Sequence, residues 1–280
     1  MTVGEQREAV SFLVTRGVSQ RRACTLVQLQ RSTFRYQARP ERDPALVEQV
    51  QNLAQRHPRY GYRRIWALLR RRHQRVNKKR VHRLWKRAKL QVRKVRRKRR
   101  RIHPTGLSVQ ATHPGHVWSY DFVHDACLTG TPLKVLTVMD EFTREGLAIE
   151  VASTMPSAKV IRVLDQMFRA HGAPEFLRSD NGPEFVALAV RSWLAQHQTA
   201  TLYIDPGCPW QNGYEERFNG TVRDECLKLY AFHTVAEARV VCGAYLREYN
   251  DERPHSSLEY RTPAEFKREW LERQSQATGL

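Results

Sequence analysis

The chain has 280 residues, of which 48 are Lys or Arg and 28 are Asp or Glu, so its formal charge is +20. Apolar residues make up 41% of the chain, which is enough for a buried core and excludes general disorder. No apolar run approaches the roughly 18 residues of a membrane helix, and none near the start is typical of a secretion signal. The five scattered cysteines form no Cys-x-x-Cys pair, which excludes a zinc ribbon and a disulfide framework. The composition predicts a cytoplasmic protein, nucleoid-associated if it binds DNA, with no membrane partner.

The excess of positive charge is concentrated in the first 101 residues of the chain. Residues 1–101 hold 31 basic and 5 acidic residues, whereas residues 102–280 hold 17 and 23. A stretch without acids, such as 59–101, repels itself unless a polyanion neutralises it, and release of counterions from nucleic acid would drive that binding. A solvated basic tail or a ribosome-associated arm is the alternative. The distribution favours nucleic-acid binding by residues 1–101.

Residues 1–40 have the outline of a helix-turn-helix unit. The pattern predicts a helix over 5–16, a second helix capped by Ser19 and running through Leu29, and a short third helix capped by Ser32. Arg35 lies in this third helix and is a candidate DNA-binding residue. A small helical bundle without a DNA-binding role has the same pattern. Residues 40–44 are predicted to be a linker.

Residues 44–101 are predicted to form a second, densely basic helical unit. Amphipathic helices are expected over 45–56 and 62–72, and Asn77 should cap a third helix. Residues 94–101 are too charged to fold unaided and should form a tether that orders on DNA. The alternative is a three-helix bundle that contacts only phosphates. The candidate DNA-binding residues here are Arg63, Arg64, Lys78, Lys79, Arg80, Arg83, Lys86, Arg87, Arg96, Arg97, Arg99, Arg100 and Arg101.

Residues 105–280 have the composition of an ordinary α/β domain. β-branched and aromatic runs predict five strands, and apolar periodicity predicts helices opening at Pro156 and near Pro183. The predicted strands cover residues 117–123, 133–139, 146–151, 176–178 and 201–204. The first three should be antiparallel because their connections are short. Three strands, a helix, a strand, a helix and a strand predict a mixed five-stranded sheet with helices on both faces.

Three carboxylates stand where a functional site could form. Asp121 lies inside an otherwise apolar strand, Asp180 ends another strand, and Glu216 lies on a later helix. A half-buried acid is costly unless it is paired or bound to a cation, so three converging acids would make an oxygen-ligand site for magnesium. For each acid alone, a helix cap or a salt bridge is the alternative.

The motifs around these acids carry a resemblance to a known family. They are Trp118-x-x-Asp121, then 179–185 (Ser-Asp-Asn-Gly-Pro-Glu-Phe), then 209–219 with Asn212-Gly213-x-x-Glu216-x-Phe218-Asn219. With 35 residues between Asp180 and Glu216, they resemble the core of DDE transposases and retroviral integrases. Residues 249–266, with Tyr-Asn-x-x-Arg-Pro-His-Ser-Ser-Leu, resemble the second-frame product of bacterial two-frame insertion sequences.

The resemblance implies an RNase H-like integrase core over 105–280, with a C-terminal helical extension. Asp121, Asp180 and Glu216 would be catalytic and would hold two divalent ions, Mg²⁺ or Mn²⁺. The 35-residue interval selects Glu216 over Glu215, which should sit to one side. By position, Asn212, Arg217, Asn219 and Arg223 are further candidates for contacts with DNA phosphates.

The implied activity is cleavage of terminal inverted repeats and joining of their 3′ ends to target DNA. The implied partners are double-stranded DNA, a first-frame protein or a fusion with it, and further copies of the chain on DNA. The alternatives are an RNase H-like nuclease without joining activity and a non-catalytic DNA-binding regulator.

Overall fold

The structure, a computed structural model, describes residues 1–37, 43–92, 109–180, 187–204 and 209–277. It divides into two compact units, Met1–Gln49 and Val50–Leu280. Residues 50–92 therefore belong to the same compact unit as the sheet. The division at 1–40, 44–101 and 105–280 remains a proposal about function. The predicted linker and tether fall largely in 38–42 and 93–108, outside the described residues.

The first unit holds three helices, α1 (Val3–Thr15), α2 (Gln20–Leu26) and α3 (Arg31–Arg35). Ser19 caps α2 as predicted, since its hydroxyl accepts the backbone N–H of Arg22. The cap predicted at Ser32 is wrong. α3 begins at Arg31 with Gln30 in the N-cap position, so Ser32 is the second residue of the helix rather than its cap.

Three more helices follow: α4 (Pro44–Arg56), α5 (Tyr62–Arg71) and α6 (Lys78–Arg87). Asn77 caps α6 as predicted, by accepting the N–H of Lys79 at 2.8 Å. α6 buries Val81, Leu84 and Trp85 on one side. Its basic residues occupy the rest of the surface, because an amphipathic helix buries a single stripe.

The second unit contains a five-stranded sheet in the order β3-β2-β1-β4-β5. Its strands are β1 (Val117–Ala126), β2 (Pro132–Asp140), β3 (Gly146–Ala152), β4 (Phe176–Ser179) and β5 (Ala200–Tyr203). β1, β2 and β3 pair antiparallel, and β1 pairs with β4 and β4 with β5 in parallel. The predicted mixed sheet and its antiparallel trio are confirmed.

Helices cover both faces of the sheet. They are α7 (Ser157–His171), α8 (Leu188–Gln196), α9 (Gly213–Glu225) and α10 (Val235–Asp251), and a last helix, α11 (Pro263–Ala277), packs against α10. Trp118 and Tyr120 of β1 pack with α7 and α8, whereas Val123 packs with α9 and α10. β1 therefore alternates between two cores, and Ser119 and Asp121 share a face with Val123 because side chains alternate along a strand. Nowhere in the described ranges is a helix both long and apolar enough to cross a membrane.

Candidate active site

Asp121 lies on β1, half-buried under α9. Its Oδ1 accepts the N–H of Phe122 at 2.7 Å, and its Oδ2 accepts the side-chain amide of Asn219 at 2.9 Å. The pKa of Asp121 is raised to about 6, mainly by burial and also by the charges of Asp180 and Glu216, while the two hydrogen bonds act in the opposite direction. Three carboxylates therefore share one electrostatic field.

The pairing of β1 with β4 brings Asp180 to this place. In the parallel register Ser119 lies opposite Arg178, and two residues further along each strand stand Asp121 and Asp180. Asp180, half-buried, follows the last residue of β4. Residues 181–186, including Asn181 and Gly182 of the motif, lie outside the described residues. Two acids distant in sequence are brought together because the parallel pairing with β1 carries Asp180, just past the end of β4, alongside Asp121 in the middle of β1.

The end of β4 is fixed by a buried ion pair. Arg178 is 2% exposed and Glu141 is 1% exposed, and Nε of Arg178 donates to the Glu141 carboxylate at 2.9 Å. A second nitrogen of Arg178 donates to the carbonyl of Val109 at 2.6 Å. Glu141 directly follows β2, which ends at Asp140. Its partnership with Arg178 holds the strand that ends at Asp180.

α9 carries two adjacent glutamates in opposite environments. Glu216 is exposed, whereas Glu215 is fully buried and accepts a hydrogen bond from the Ser119 hydroxyl at 2.8 Å. Neighbouring helical side chains diverge by about 100°, so one of the pair can face the sheet while the other faces solvent. Burial raises the pKa of Glu215 to about 8. Glu215 is thus mainly protonated at neutral pH and adds little charge beneath the site.

Asn219 also turns inward from α9. It is 8% exposed, and its Oδ1 accepts the hydroxyl of Thr137 at 2.7 Å while its amide nitrogen donates to Asp121. The sequence placed Asn219 among residues that meet DNA phosphates. The structure instead commits both ends of its side chain to the sheet, where it orients Asp121. Asn219 stands four residues after Glu215, and residues at this spacing share a helix face. This spacing was the feature of the sequence that could have shown that the two side chains face the same way.

The three predicted ligands are not gathered as tightly as a bound metal requires. Among the residues that the structure describes, no group of three or more His, Cys, Asp or Glu side chains is arranged to hold an ion. The donor chemistry nevertheless fits a hard divalent cation, because all three predicted ligands are carboxylates that repel one another without a neutralising cation. The repulsion of the Asp121 carboxylate by the charges of Asp180 and Glu216 favours a cation here.

The predicted DNA-binding residues fall into three groups. On α6, Lys78, Lys79, Arg83, Lys86 and Arg87 are exposed and Arg80 is partly exposed. Arg35, Arg63, Arg217 and Arg223 are also exposed, whereas Arg64 is paired with Glu225 at 2.7 Å and Asn212 is 4% exposed. Arg96, Arg97, Arg99, Arg100 and Arg101 lie outside the described residues. The exposed lysines and arginines of the first two groups offer positive charge to a polyanion, whereas Arg64 is paired with a carboxylate and Asn212 is neutral and buried.

Comparison with known proteins identifies the family. Models of an integrase core domain match residues 111–209 and 197–263, and a model of an HTH-like domain matches residues 41–99. An uncharacterised 39.2 kDa protein of insertion element IS476 from Xanthomonas euvesicatoria is 41% identical, covering 93% of this chain and 76% of that protein. An uncharacterised protein of IS407 from Burkholderia multivorans is 42% identical, covering 89% and 90%. The chain belongs to the insertion-sequence transposases of the integrase superfamily.

A further similar sequence and a similar solved structure agree with this family assignment. The putative transposase for element IS150 of Escherichia coli is 26% identical over 86% of this transposase and 90% of its own length. A solved intasome of simian T-cell lymphotropic virus, bound to a PP2A regulatory subunit, matches at a TM-score of 0.50 and 16% identity, over 78% of this chain and 74% of that chain. The likeness to the viral structure concerns the fold, which is the RNase H-like α/β fold expected from the sequence. The HTH-like match falls on α4 to α6.

Proposed function

We propose that this transposase binds the terminal inverted repeats of its element, cleaves them and joins their 3′ ends to target DNA. The observation that carries the proposal is the electrostatic coupling of Asp121 to Asp180, which follows the neighbouring strand β4, and to Glu216 on α9. It is expressed in the raised pKa of Asp121, to which the charges of Asp180 and Glu216 contribute. Family membership supports the reaction class.

The proposed cofactors are two divalent ions, Mg²⁺ or Mn²⁺, held by Asp121, Asp180 and Glu216. When bound, they would supply activation of the attacking oxygen and stabilisation of the leaving oxygen in an in-line displacement at phosphorus. Asn219 holds the Asp121 carboxylate in place. The Arg178–Glu141 pair fixes the strand that leads to Asp180.

The buried Glu215 secures the helix that carries Glu216. Its hydrogen bond with Ser119 ties α9 to β1 next to the strand residue Asp121. A protonated carboxyl performs this task without adding a further negative charge where DNA phosphates must approach. The proposal therefore gives the two adjacent glutamates different tasks, ligation for Glu216 and anchoring for Glu215.

DNA binding is proposed for the exposed cations of α6, for Arg35, and for the basic tract that includes Arg99. Exposed cations on a helix can contact duplex phosphates, and such contacts do not by themselves select a DNA sequence. Further copies of the chain on DNA, and a first-frame protein or a fusion with it, complete the proposed assembly.

The test is joining of a labelled duplex, taken from the DNA that flanks the coding sequence, into a plasmid in Mg²⁺. We expect Asp121→Asn, Asp180→Asn and Glu216→Gln to lose orders of magnitude in rate while still binding the duplex, because each removes a charged oxygen ligand. Glu215→Gln is the matched control and should retain most of the activity. Cutting without joining would identify a nuclease, and binding with neither reaction would identify a regulator. Activity in all four variants would refute the metal site.

A further inference from the structure

A cavity of about 350 Å³ lies beside α9, between this helix, α5 and the segment that follows α10. Four arginines from distant parts of the chain line it, and none of its lining residues among those the structure describes is acidic. Its charged and polar lining includes Arg64, Arg144, Arg217, Arg253, Tyr214 and His255. The proposed active site does not use this cavity.

Arg253 is the fixed member of the group. It is 4% exposed, and its Nε and Nη2 donate to the Glu225 carboxylate at 2.6 and 2.8 Å. Arg64 donates to the same carboxylate at 2.7 Å. One carboxylate therefore neutralises only one of these two guanidinium groups, and the pair keeps a net positive charge.

Arg144 and Arg217 add two further charges. The Arg144 guanidinium lies 3.6 Å from the centre of the Tyr214 ring and also contacts the backbone carbonyl of Glu141. Arg217 is exposed and stands one turn after Tyr214 on α9. No carboxylate within the described part of the chain forms an ion pair with Arg144 or Arg217. Stacking on an aromatic ring orients a guanidinium without neutralising it.

His255 contributes a neutral polar wall. It is 6% exposed, and its Nε2 lies 3.3 Å from the carbonyl oxygen of Tyr249, so this nitrogen carries the proton. Burial, followed by the charge of Arg253, lowers the pKa of His255 to about 2. The cavity thus presents four cationic groups and one compensating carboxylate, and like charges at such density repel one another unless an anion binds.

We propose that this cavity binds a backbone phosphate of the DNA that enters the active site. Planar guanidinium groups match the oxygens of a phosphate, and a cavity this small admits one such group rather than a base pair. Arg217 directly follows Glu216 on α9, so a phosphate held here would anchor the DNA to the helix that carries the proposed catalytic glutamate, at a point about 100° around the helix axis from it. This inference rests on the proposed function and adds to it an anchoring point outside the catalytic carboxylates.

The experiment measures binding of the full chain to the flanking-DNA duplex at several KCl concentrations. Arg217→Gln and the double variant Arg144→Gln/Arg217→Gln are compared with Arg162→Gln, which removes an exposed charge from α7 on the opposite face of the sheet. We expect the double variant to bind about tenfold more weakly and to lower the slope of log K against log salt by about 1. Arg217→Gln alone should show part of this loss, and Arg162→Gln should show none.

A second measurement identifies the ligand. Duplexes that carry a single uncharged methylphosphonate at successive positions should lose affinity for the unaltered chain at one position. The double variant should show no additional loss at that position. Equal losses in both proteins, or no sensitive position, would overturn the proposal. Stabilisation of the unaltered chain alone by inorganic phosphate, with a flat methylphosphonate scan, would overturn it in favour of a free anion.

The two proposals fail in different ways. Joining by the unaltered chain tests the proposed function, whereas the variants and the methylphosphonate scan test the cavity. If the unaltered chain joins DNA and the double variant binds the duplex as tightly as Arg162→Gln does, only the cavity proposal is refuted. If the unaltered chain neither binds nor joins this DNA, both proposals are refuted.

Discussion

Replacing Glu215 with glutamine should make the stability of the core less dependent on pH. Burial raises the pKa of Glu215 from 4.5 to about 8, so the folded chain keeps a proton that the unfolded chain releases. The stability from this proton is fully present below the unfolded pKa and is lost as pH rises through the folded pKa. Between pH 4.5 and about 8, the free energy of unfolding should therefore fall by up to about 1.4 kcal/mol per pH unit.

Glutamine keeps the shape of the side chain and stays neutral at every pH in this window. The difference in unfolding free energy between Glu215→Gln and the unaltered chain should therefore grow by roughly 2–3 kcal/mol from pH 5.5 to pH 7.5. A constant offset between the two proteins, for example from a changed bond to Ser119, cancels in this comparison. Urea denaturation followed by tryptophan fluorescence, without divalent cations, measures it.

Glu216→Gln is the matched control, because it makes the same chemical change one residue away on an exposed side chain. Its stability should keep most of the pH dependence of the unaltered chain, with a small change near pH 6 because the charge of Glu216 no longer raises the pKa of Asp121. If Glu215→Gln also follows that dependence, Glu215 is ionised in the folded chain and its proposed neutral anchoring role is incorrect. Retained joining activity in Glu215→Gln would agree with anchoring, whereas complete loss would point to a direct part in the reaction.

Three further results are expected. Arg178→Met should lower the free energy of unfolding by about 3–5 kcal/mol, because it leaves Glu141 buried without its partner, and adding Glu141→Gln should restore most of the loss in urea denaturation. Asn219→Ala removes a hydrogen bond that lowers the pKa of Asp121, so the acid limb of the joining rate should move to higher pH in a rate profile. Arg83→Gln on exposed α6 should lower the salt slope of duplex binding by about 1.

Each expectation has an outcome that contradicts it. Equal instability of Arg178→Met and its double variant would mean that Arg178 acts through Val109 rather than through Glu141. An unshifted pH profile would show that Asn219 does not control the ionisation of Asp121. If Arg83→Gln leaves the slope of log K against log salt unchanged, the duplex does not contact Arg83 on α6.

The sequence alone predicted the order of strands and helices, because apolar periodicity and capping residues are local properties. Ser19 and Asn77 cap helices as expected, whereas the cap assigned to Ser32 failed because short polar residues are also compatible with the first turn of a helix. The carboxylates at Asp121 and Asp180 could likewise be selected, since an acid within or after an apolar strand is visible in the chain itself.

The tertiary structure decided which groups these residues meet. Adjacent glutamates look alike in sequence, yet Glu215 is buried against Ser119 while Glu216 faces solvent. Asn219 turned out to bind Asp121, and the arginine cavity combines Arg64 and Arg253, which are nearly two hundred residues apart. Local periodicity fixes the face of an element on which a side chain lies. The charge and solvation of that side chain depend on residues far away in the chain, which only the packing of α9 against the sheet brings into contact.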